Sequence, residues 1–439
     1  CSICVNCVEF LCDNCRALST RRICVVFPSR KTDGIPVALC NGNKTIQAPR
    51  LLKGAYMRRA LILLFFVVGS LNSQDFYYNF SEGKAYSIAI RSDYRMYKNK
   101  KYAGLTSKEY KVIFHANNLE NSYKIDGRIY KMEKTLRNQV LSGYLVDEDC
   151  SVSYFMNRSG EVKSVKETEY PFLRGAPNFP EKTLSIGESY FGYGTAVLDI
   201  ERKYVLPIAT QTVYLGKKML FGSERDYFEI RYSYTRNHGV KEITKTLAMH
   251  NVKLYYDNEA KLPSYIEDHF KEEIHHSGDV YRMEGFTLYF YNITDAMNKE
   301  EVVRDLSDDL DFGEDDGVVV EKGEEGVVLR LEDLKFKPNT TDLLDIEYDK
   351  LDKIYNSLAK IKGKTFLVEG HTAFAGTERE RYELSLERAK TIAYYLISKG
   401  LDSKRVLYRG RGADEPIAPN DTEENMRKNR RVEITILDG

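Results

Sequence analysis

Three groups of residues in this sequence have types and spacings that suit chemistry. Cys1, Cys4, Cys7, Cys12, Cys15, Cys24 and Cys40 are seven of the eight cysteines. Thiolates at Cys-x-x-Cys spacing can reach one metal, so zinc or an iron–sulfur cluster is one reading of that stretch. Glu267, His269, His275 and His276 form the second group, but their spacing matches no ligand pattern, and adjacent histidines on extended chain face opposite ways. The third is Val368–Lys390, "VEGHTAFAGTERERYELSLERAK", where a short apolar strand ends in Gly370-His371-Thr372 and a charged helix follows. That is the layout of a ligand site at a strand end. Ser385 has no histidine or lysine base placed with it, so it is no nucleophile. No other catalytic set appears, and the chain reads as a non-enzyme without metal or cofactor.

The elements that must position these residues begin with the amino-terminal stretch. "MRRALILLFFVVGSLNSQ" opens at Met57 with Arg58 and Arg59, continues through an apolar run and reaches small residues at Ser70 and Ser73. A basic start, an apolar run too short to span a bilayer comfortably and a small-residue end make a secretory signal peptide over 57–73. Met57 is then the expected start, and residues 1–56 a mis-assigned upstream extension rather than a metal module. A lipidated Cys1 and an uncleaved anchor are the alternatives. After cleavage near Ser70–Ser73 the expected location is the periplasm, with or without outer-membrane association. Only Cys150 would then remain, so no intrachain disulfide can form, and Cys150 is expected in an apolar environment.

The chain has 439 residues, 42% of them hydrophobic, with 65 basic and 65 acidic side chains. That suggests about two to four domains and no basic excess to attract nucleic acid. Within a β-rich region 74–306, residues 74–294 read mainly as strands that alternate with period two, as in "YFEIRYSY", where Phe228, Ile230, Tyr232 and Tyr234 face one way and Glu229, Arg231 and Ser233 the other. "RSGEV" (158–162) reads as a hairpin turn, and the proline-bearing stretch 170–182 as a break that allows two domains. Short strands, charge on both faces and prolines favour a soluble sandwich or open barrel over a transmembrane barrel. A short helix is expected over 295–306, and 307–325 is acidic and glycine-rich, a linker composition.

From about Val327 the pattern becomes β-α-β-α-β-α-β, a small α+β sheet with its helices on one side. Thr341 or Asp342 can cap the first helix, whose stripe is Leu344, Tyr348, Leu351, Tyr355 and Leu358. The second runs from about Glu378 to Lys399 with Ala389, Ile392, Ala393 and Leu396 inward. Its end suits Gly400.

Gly370-His371-Thr372, "LSLERA" (384–389), "SKGLDSKRV" (398–406) and "PIAPNDTEENMRKNRRVEI" (416–434) together resemble the OmpA-like C-terminal domain, shared by OmpA, Pal and MotB. The resemblance covers about residues 326–439, roughly a quarter of the chain. It implies non-covalent binding of the peptidoglycan stem peptide. In that family an aspartate after Gly-His-Thr holds the ammonium of a diamino acid. The arginine of L-S-x-x-R-A holds a carboxylate, and an asparagine three residues before the leucine and the N-R-R arginine complete the cradle. A zwitterion needs such an anion and such a bidentate cation. The resemblance therefore assigns the site to Thr372, Ala373, Arg381, Arg388, Asn429, Arg430 and Arg431. Two positions depart: Ala373 stands where aspartate is expected and Arg381 where asparagine is. Losing one charge-assisted partner costs about 1.5–3 kcal/mol, roughly 10- to 100-fold in affinity. Arg388 has a competing structural reading, an ion pair with Glu383 or Glu387 along the helix. Wall binding that is weak, changed or lost is the expectation. The alternative is a scaffold that keeps the fold without wall binding, with the β-rich region binding an envelope protein or a lipid.

Overall fold

The structure is a computed structural model. It describes residues 73–439 except 135–142, 165–172, 176, 198–204, 238–242, 313–315, 333 and 337–342, together with the backbone of β1 (Cys40–Asn41) paired to β2 (Lys44–Thr45). The cysteine side chains before residue 41, the signal segment up to residue 72, and Thr341 and Asp342 lie outside the described residues. The chain divides into two units, Cys1–Leu71 and Asn72–Gly439, and the second holds both large sheets.

The first large sheet is antiparallel and twelve-stranded. Its strands are β3 (Lys84–Lys98), β4 (Lys101–Leu119), β5 (Ser122–Lys134), β7 (Glu148–Asn157), β8 (Val162–Ser164), β9 (Leu173–Arg174), β10 (Ser189–Val197), β11 (Val205–Leu220), β12 (Ser223–Asn237), β13 (Ile243–Asp257), β14 (Leu262–His276) and β15 (Asp279–Asp295). β6 (Tyr144–Leu145) leaves for the other sheet. The order is β8-β7-β5-β4-β3-β15-β14-β13-β12-β11-β10-β9, so the last long strand returns to pair with the first. That pairing makes one sheet of the segments on either side of 170–182, so the proline stretch does not separate two β units. The free ends come close: a Cβ on Gly175, just after β9, would lie 3.8 Å from the Val162 nitrogen of β8. The open barrel is thus the form taken.

Most of these strands are far longer than expected, β3, β12, β13 and β14 having 15 residues each. Two-residue turns allow this. Asn99-Lys100, Phe221-Gly222 and Ser277-Gly278 all have positive φ, the type I′ geometry whose twist matches that of the flanking strands. Charge lies mainly on one face. Arg225, Glu229 and Arg231 of β12 and His269 and Lys271 of β14 alternate with buried inward residues such as Phe228, Ile230, Tyr232 and Ile266. A lipid-facing barrel has the reverse pattern. Among the described residues, no helix is long and apolar enough to cross a membrane. Phe76, Tyr78 and Phe80 enter the lumen as a plug, Phe76 meeting the rings of Tyr214 at 4.9 Å and Phe228 at 4.8 Å. Cys150 is half-buried and packs against this core.

The second sheet is mixed, in the order β16-β17-β20-β18-β19-β6. β16 (Val318–Lys322), β17 (Gly326–Glu332), β18 (Thr365–Gly370), β19 (Val406–Gly410) and β20 (Arg431–Leu437) join β6 in it. The helices are α1 (Lys299–Leu310), α2 (Asp345–Lys360), α3 (Glu378–Ser398) and α4 (Glu423–Asn429). The sequence β17-α2-β18-α3-β19-α4-β20 is the one read from periodicity. The stretch read as a linker has regular structure at both ends: Ser307–Leu310 closes α1, and Val318–Lys322 pairs with β17. The reason is apolar content within the acidic run, since Leu310 is buried and Val318 and Val320 pack on the core.

One face of this sheet is covered by helices and the other by the outer wall of the barrel. Leu367, Leu407 and Leu437 meet Ile113, Tyr130, Met132 and Val146 there. Charge also crosses: Arg409 of β19 holds Glu369 of β18 at 2.7 Å and pairs with Asp149 of β7, which also pairs with Arg128 of β5. Lys364 reaches Asp438 at 2.8 Å and the Asp295 carbonyl at 2.7 Å.

Candidate functional site

The carboxyl ends of β18 and β19 point at the amino-terminal half of α3. They approach closely because Gly370 and Gly410 carry no side chain. A Cβ on Gly370 would lie 2.0 Å from the Ser385 carbonyl oxygen, and one on Gly410 would lie 2.6 Å from the Leu386 nitrogen. The fully buried Ser385 completes the joint: its Oγ donates to the Tyr382 carbonyl at 2.8 Å and accepts from the Gly412 N–H at 2.9 Å. The hydroxyl is committed to fixing α3. Thr377 starts that helix with a capping box closed by Glu380.

Thr372 and Ala373 follow β18 and are buried, while Phe374 is exposed. The Thr372 N–H donates to the Gly412 carbonyl at 2.7 Å and the Phe374 N–H to Asn420 at 2.9 Å. Asn420 also accepts from Asn429, at 3.1 Å. Asn429 has no exposure. Its oxygen accepts from the N–H groups of Ile417 and Ala418 at 2.9 and 3.1 Å, and its amide donates to the Ala418 carbonyl at 2.8 Å. It therefore acts as a clamp that folds the 417–420 loop beside Ala373. Asn429→Ala should cost about 1–3 kcal/mol, because two backbone donors lose their partner. A chemical-denaturation curve checks this; an unchanged midpoint would count against the clamp.

Arg381, one of the two departures from the family pattern, packs on Phe374, the residue that follows the other. The Arg381 guanidinium lies 4.3 Å from the Phe374 ring centroid, and Nη1 donates to the Gly376 carbonyl at 2.6 Å. Arg388, seven residues on along α3, lies over the Phe336 ring at 4.9 Å. The glutamates considered as its partners are engaged elsewhere, Glu383 with Arg379 at 2.7 Å and Glu387 with Lys390 at 3.1 Å. Arg430 pairs with Glu423 at 2.5 Å. Arg431 is buried, with Nε on Glu433 at 2.6 Å and Nη2 on the Glu415 carbonyl at 3.0 Å.

Several buried polar atoms here have no hydrogen-bond partner among the described residues: Thr372 Oγ1, both ring nitrogens of His371, Arg381 Nε and Arg431 Nη1. Burial, and then the charges of Arg431, Arg411 and Arg409, push the His371 imidazole well below its usual range. It is neutral at neutral pH, and the 3.8 Å to Glu433 is too long for a hydrogen bond. Each orphan polar group costs on the order of 1–3 kcal/mol, so this cluster is poised for an outside partner.

A second polar cluster, which sequence reading passed over, lies inside the barrel. His250 stands between Asp268, 2.9 Å from Nδ1, and Glu272, 3.2 Å from Nε2. Its signal was parity: His250 shares the inward face of β13 with Ala248, Val252 and Leu254. His269 and His275 instead pair with Glu267 and Glu273, two residues away on their own strand. Burial lowers the His250 imidazole, but hydrogen bonds to Asp268 and Glu272 outweigh it and raise it to about 9. A raised folded value contributes stability that is complete below the ordinary 6.5 and is lost as pH rises through about 9. Wild-type unfolding free energy should fall across that window, and His250→Gln should flatten this fall. Equal slopes in the two proteins would contradict the assignment.

The OmpA family matches residues 335–430. Among curated relatives, outer membrane protein A of Bordetella avium is 40% identical over 87 residues, 20% of this chain and 45% of that protein. The peptidoglycan-binding protein ArfA of Mycobacterium tuberculosis is 32% identical over 103 residues, 24% of this chain and 32% of that protein. The chain thus spans less than half the length of these two relatives. Among solved structures, an outer membrane protein of Borrelia burgdorferi B31 is 40% identical, covering 28% of this chain and 97% of that one with a TM-score of 0.23. The cell wall anchor of the T6SS from Pseudomonas aeruginosa is 30% identical, covering 32% and 100%, with a TM-score of 0.29. The motifs and the family match agree, and residues 335–430, within the carboxy-terminal module of this chain, belong to the OmpA family.

Proposed function

We propose that this chain is a non-enzymatic cell-envelope protein whose OmpA domain engages the peptidoglycan stem peptide through an altered site. The observation that carries the reading is the group of orphan polar atoms on Thr372, Arg381 and Arg431 at the family's strand ends. Arg388 supplies a cation on α3 for a ligand carboxylate. Ala373 supplies no anion for an ammonium, and Arg381 is turned onto Phe374. A diamino acid would therefore be held by its carboxylate and by hydrogen bonds, with its ammonium uncompensated. Binding is weaker than a site with both charges would give, by roughly 10- to 100-fold. The location that suits this role is the periplasm, with the barrel buttressing the domain. The Arg381–Phe374 contact favours a second reading, a scaffold that keeps the fold and binds an envelope protein or lipid instead.

Co-sedimentation of the full chain with purified sacculi tests the proposal. Saturable binding that weakens on Arg388→Ala is the expected result. No sedimentation, at any protein concentration that leaves the chain folded, would favour the scaffold.

A further inference from the structure

The barrel lumen is not completely filled. A cavity of about 110 Å³ lies between the plugged end and the apolar cluster of Tyr94, Ile243, Ile274 and Met283. Its walls combine aromatic rings with one polar patch. Tyr232 stacks on His250 with ring centroids 4.2 Å apart and planes 9° apart, and Phe270 lies 5.8 Å from the same imidazole. Asp268 and Glu272 grip the two nitrogens of that imidazole.

The patch has acceptors to spare. Glu272 Oε1 takes hydrogen bonds from His250 and, at 3.3 Å, from Tyr234. Its Oε2 accepts none from any described residue. The Tyr232 hydroxyl likewise makes no hydrogen bond to a described residue, although the side chain is only 6% exposed and lines the cavity. The Tyr289 hydroxyl, on a partly buried side chain that also lines the cavity, makes none to a described residue either. Burial, followed by the charge of Asp268, holds both phenols protonated. Two carboxylates lie against one imidazolium on this wall, and Lys108 brings the four charged groups of the lining to balance. Lys108, the other charged residue of the lining, lies over the Tyr94 ring, 5.8 Å from its centroid.

We propose that the lumen binds a small organic amine, with its ammonium on Glu272 and Asp268 and its apolar stem against the rings of Tyr232 and Tyr289. An ammonium donates three hydrogen bonds, which matches spare carboxylate lone pairs and hydroxyl oxygens, and aromatic faces favour a cation. A cavity of roughly 150 Å³ accepts benzene, so this one suits a stem of about four carbons. The site is separate from the OmpA site in both residues and chemistry.

Calorimetric titration of the full chain at neutral pH with n-butylamine tests this, with 1-butanol and butyrate as controls of similar size. Saturable one-to-one binding of butylamine is expected, at least tenfold tighter than either control. Glu272→Gln should weaken it at least tenfold, and Tyr289→Phe, which keeps the packing, should weaken it severalfold. The proposal is overturned by absence of saturable butylamine binding, by controls that bind equally well, or by full-strength binding in a folded Glu272→Gln or Tyr289→Phe protein.

Discussion

Arg409→Met should destabilise the larger unit by about 3–5 kcal/mol, the cost of leaving buried carboxylates without their partner. Arg409 is 5% exposed and Glu369 8%. The guanidinium holds Glu369 through Nε at 2.8 Å and Nη2 at 2.7 Å, and pairs with Asp149 across the junction between barrel and OmpA domain. Arg411 contacts Glu369 at 2.9 Å, but it is more exposed and reaches Asp149 only at 3.6 Å, so it compensates in part. Denaturant unfolding reads the loss. Adding Glu369→Gln to the variant should recover part of it, since the penalty comes from an uncompensated charge rather than from missing volume. A loss below about 1 kcal/mol would show that the junction is hydrated and the charges screened.

The same network sets a pH dependence. Burial raises the Asp149 carboxyl, but Arg409, the Arg128 hydrogen bond and Arg411 together bring it below its ordinary 3.8. A depressed folded value contributes stability above the unfolded value, and that stability is lost as pH falls through the folded one. Wild type should therefore hold its junction to more acidic pH than Arg409→Met. Acid titration followed by near-ultraviolet circular dichroism would decide it; coincident transitions would remove Arg409 from the explanation.

Ala373→Asp should tighten sacculus binding by roughly 10- to 100-fold, the converse of losing one charge-assisted bond. Ala373 is 5% exposed and follows Thr372, whose N–H is tied to Gly412, so the backbone is already held in place. The loop on its other side is clamped by Asn429. An aspartate there supplies the missing anion without rebuilding the cradle, and a melting curve should show that folding tolerates it. Equal binding by wild type and variant would mean that Ala373 does not limit the site. Binding by neither would leave the scaffold reading, because the fold would persist without its ligand.

Much of the carboxy-terminal module was legible because its elements are local. The stripe through Leu351 and Leu358, the inward Ala389, Ile392, Ala393 and Leu396, and the glycine ends of strands are written at fixed spacings along one helix or strand. The roles of single site residues were less legible. Asn429, which the resemblance assigns to the ligand site, bonds the 417–420 loop, where its amide oxygen meets backbone groups 11 and 12 residues away. Arg388 was weighed against Glu383 and Glu387, yet it lies over Phe336, more than 50 residues away in sequence. In the barrel, alternation identified inward faces but not strand length, since charge on an outer wall reads like the end of a strand.

By itself, then, the sequence determined the order of elements in the carboxy-terminal module, the inward stripes of its two long helices, the inward face of strands such as the one holding Phe228 and Ile230, the OmpA resemblance and the absence of a carboxylate at Ala373. These follow from spacing and residue type, which are properties of neighbours along the chain. Closure of the twelve strands through β3 and β15, the Arg409–Asp149 junction and the placing of His250 between Asp268 and Glu272 were decided only by tertiary structure. Each joins residues far apart in sequence, and no local pattern encodes which distant charge a buried side chain will meet. Burial then makes those pairings matter, because a charge taken out of water must find its partner within the fold.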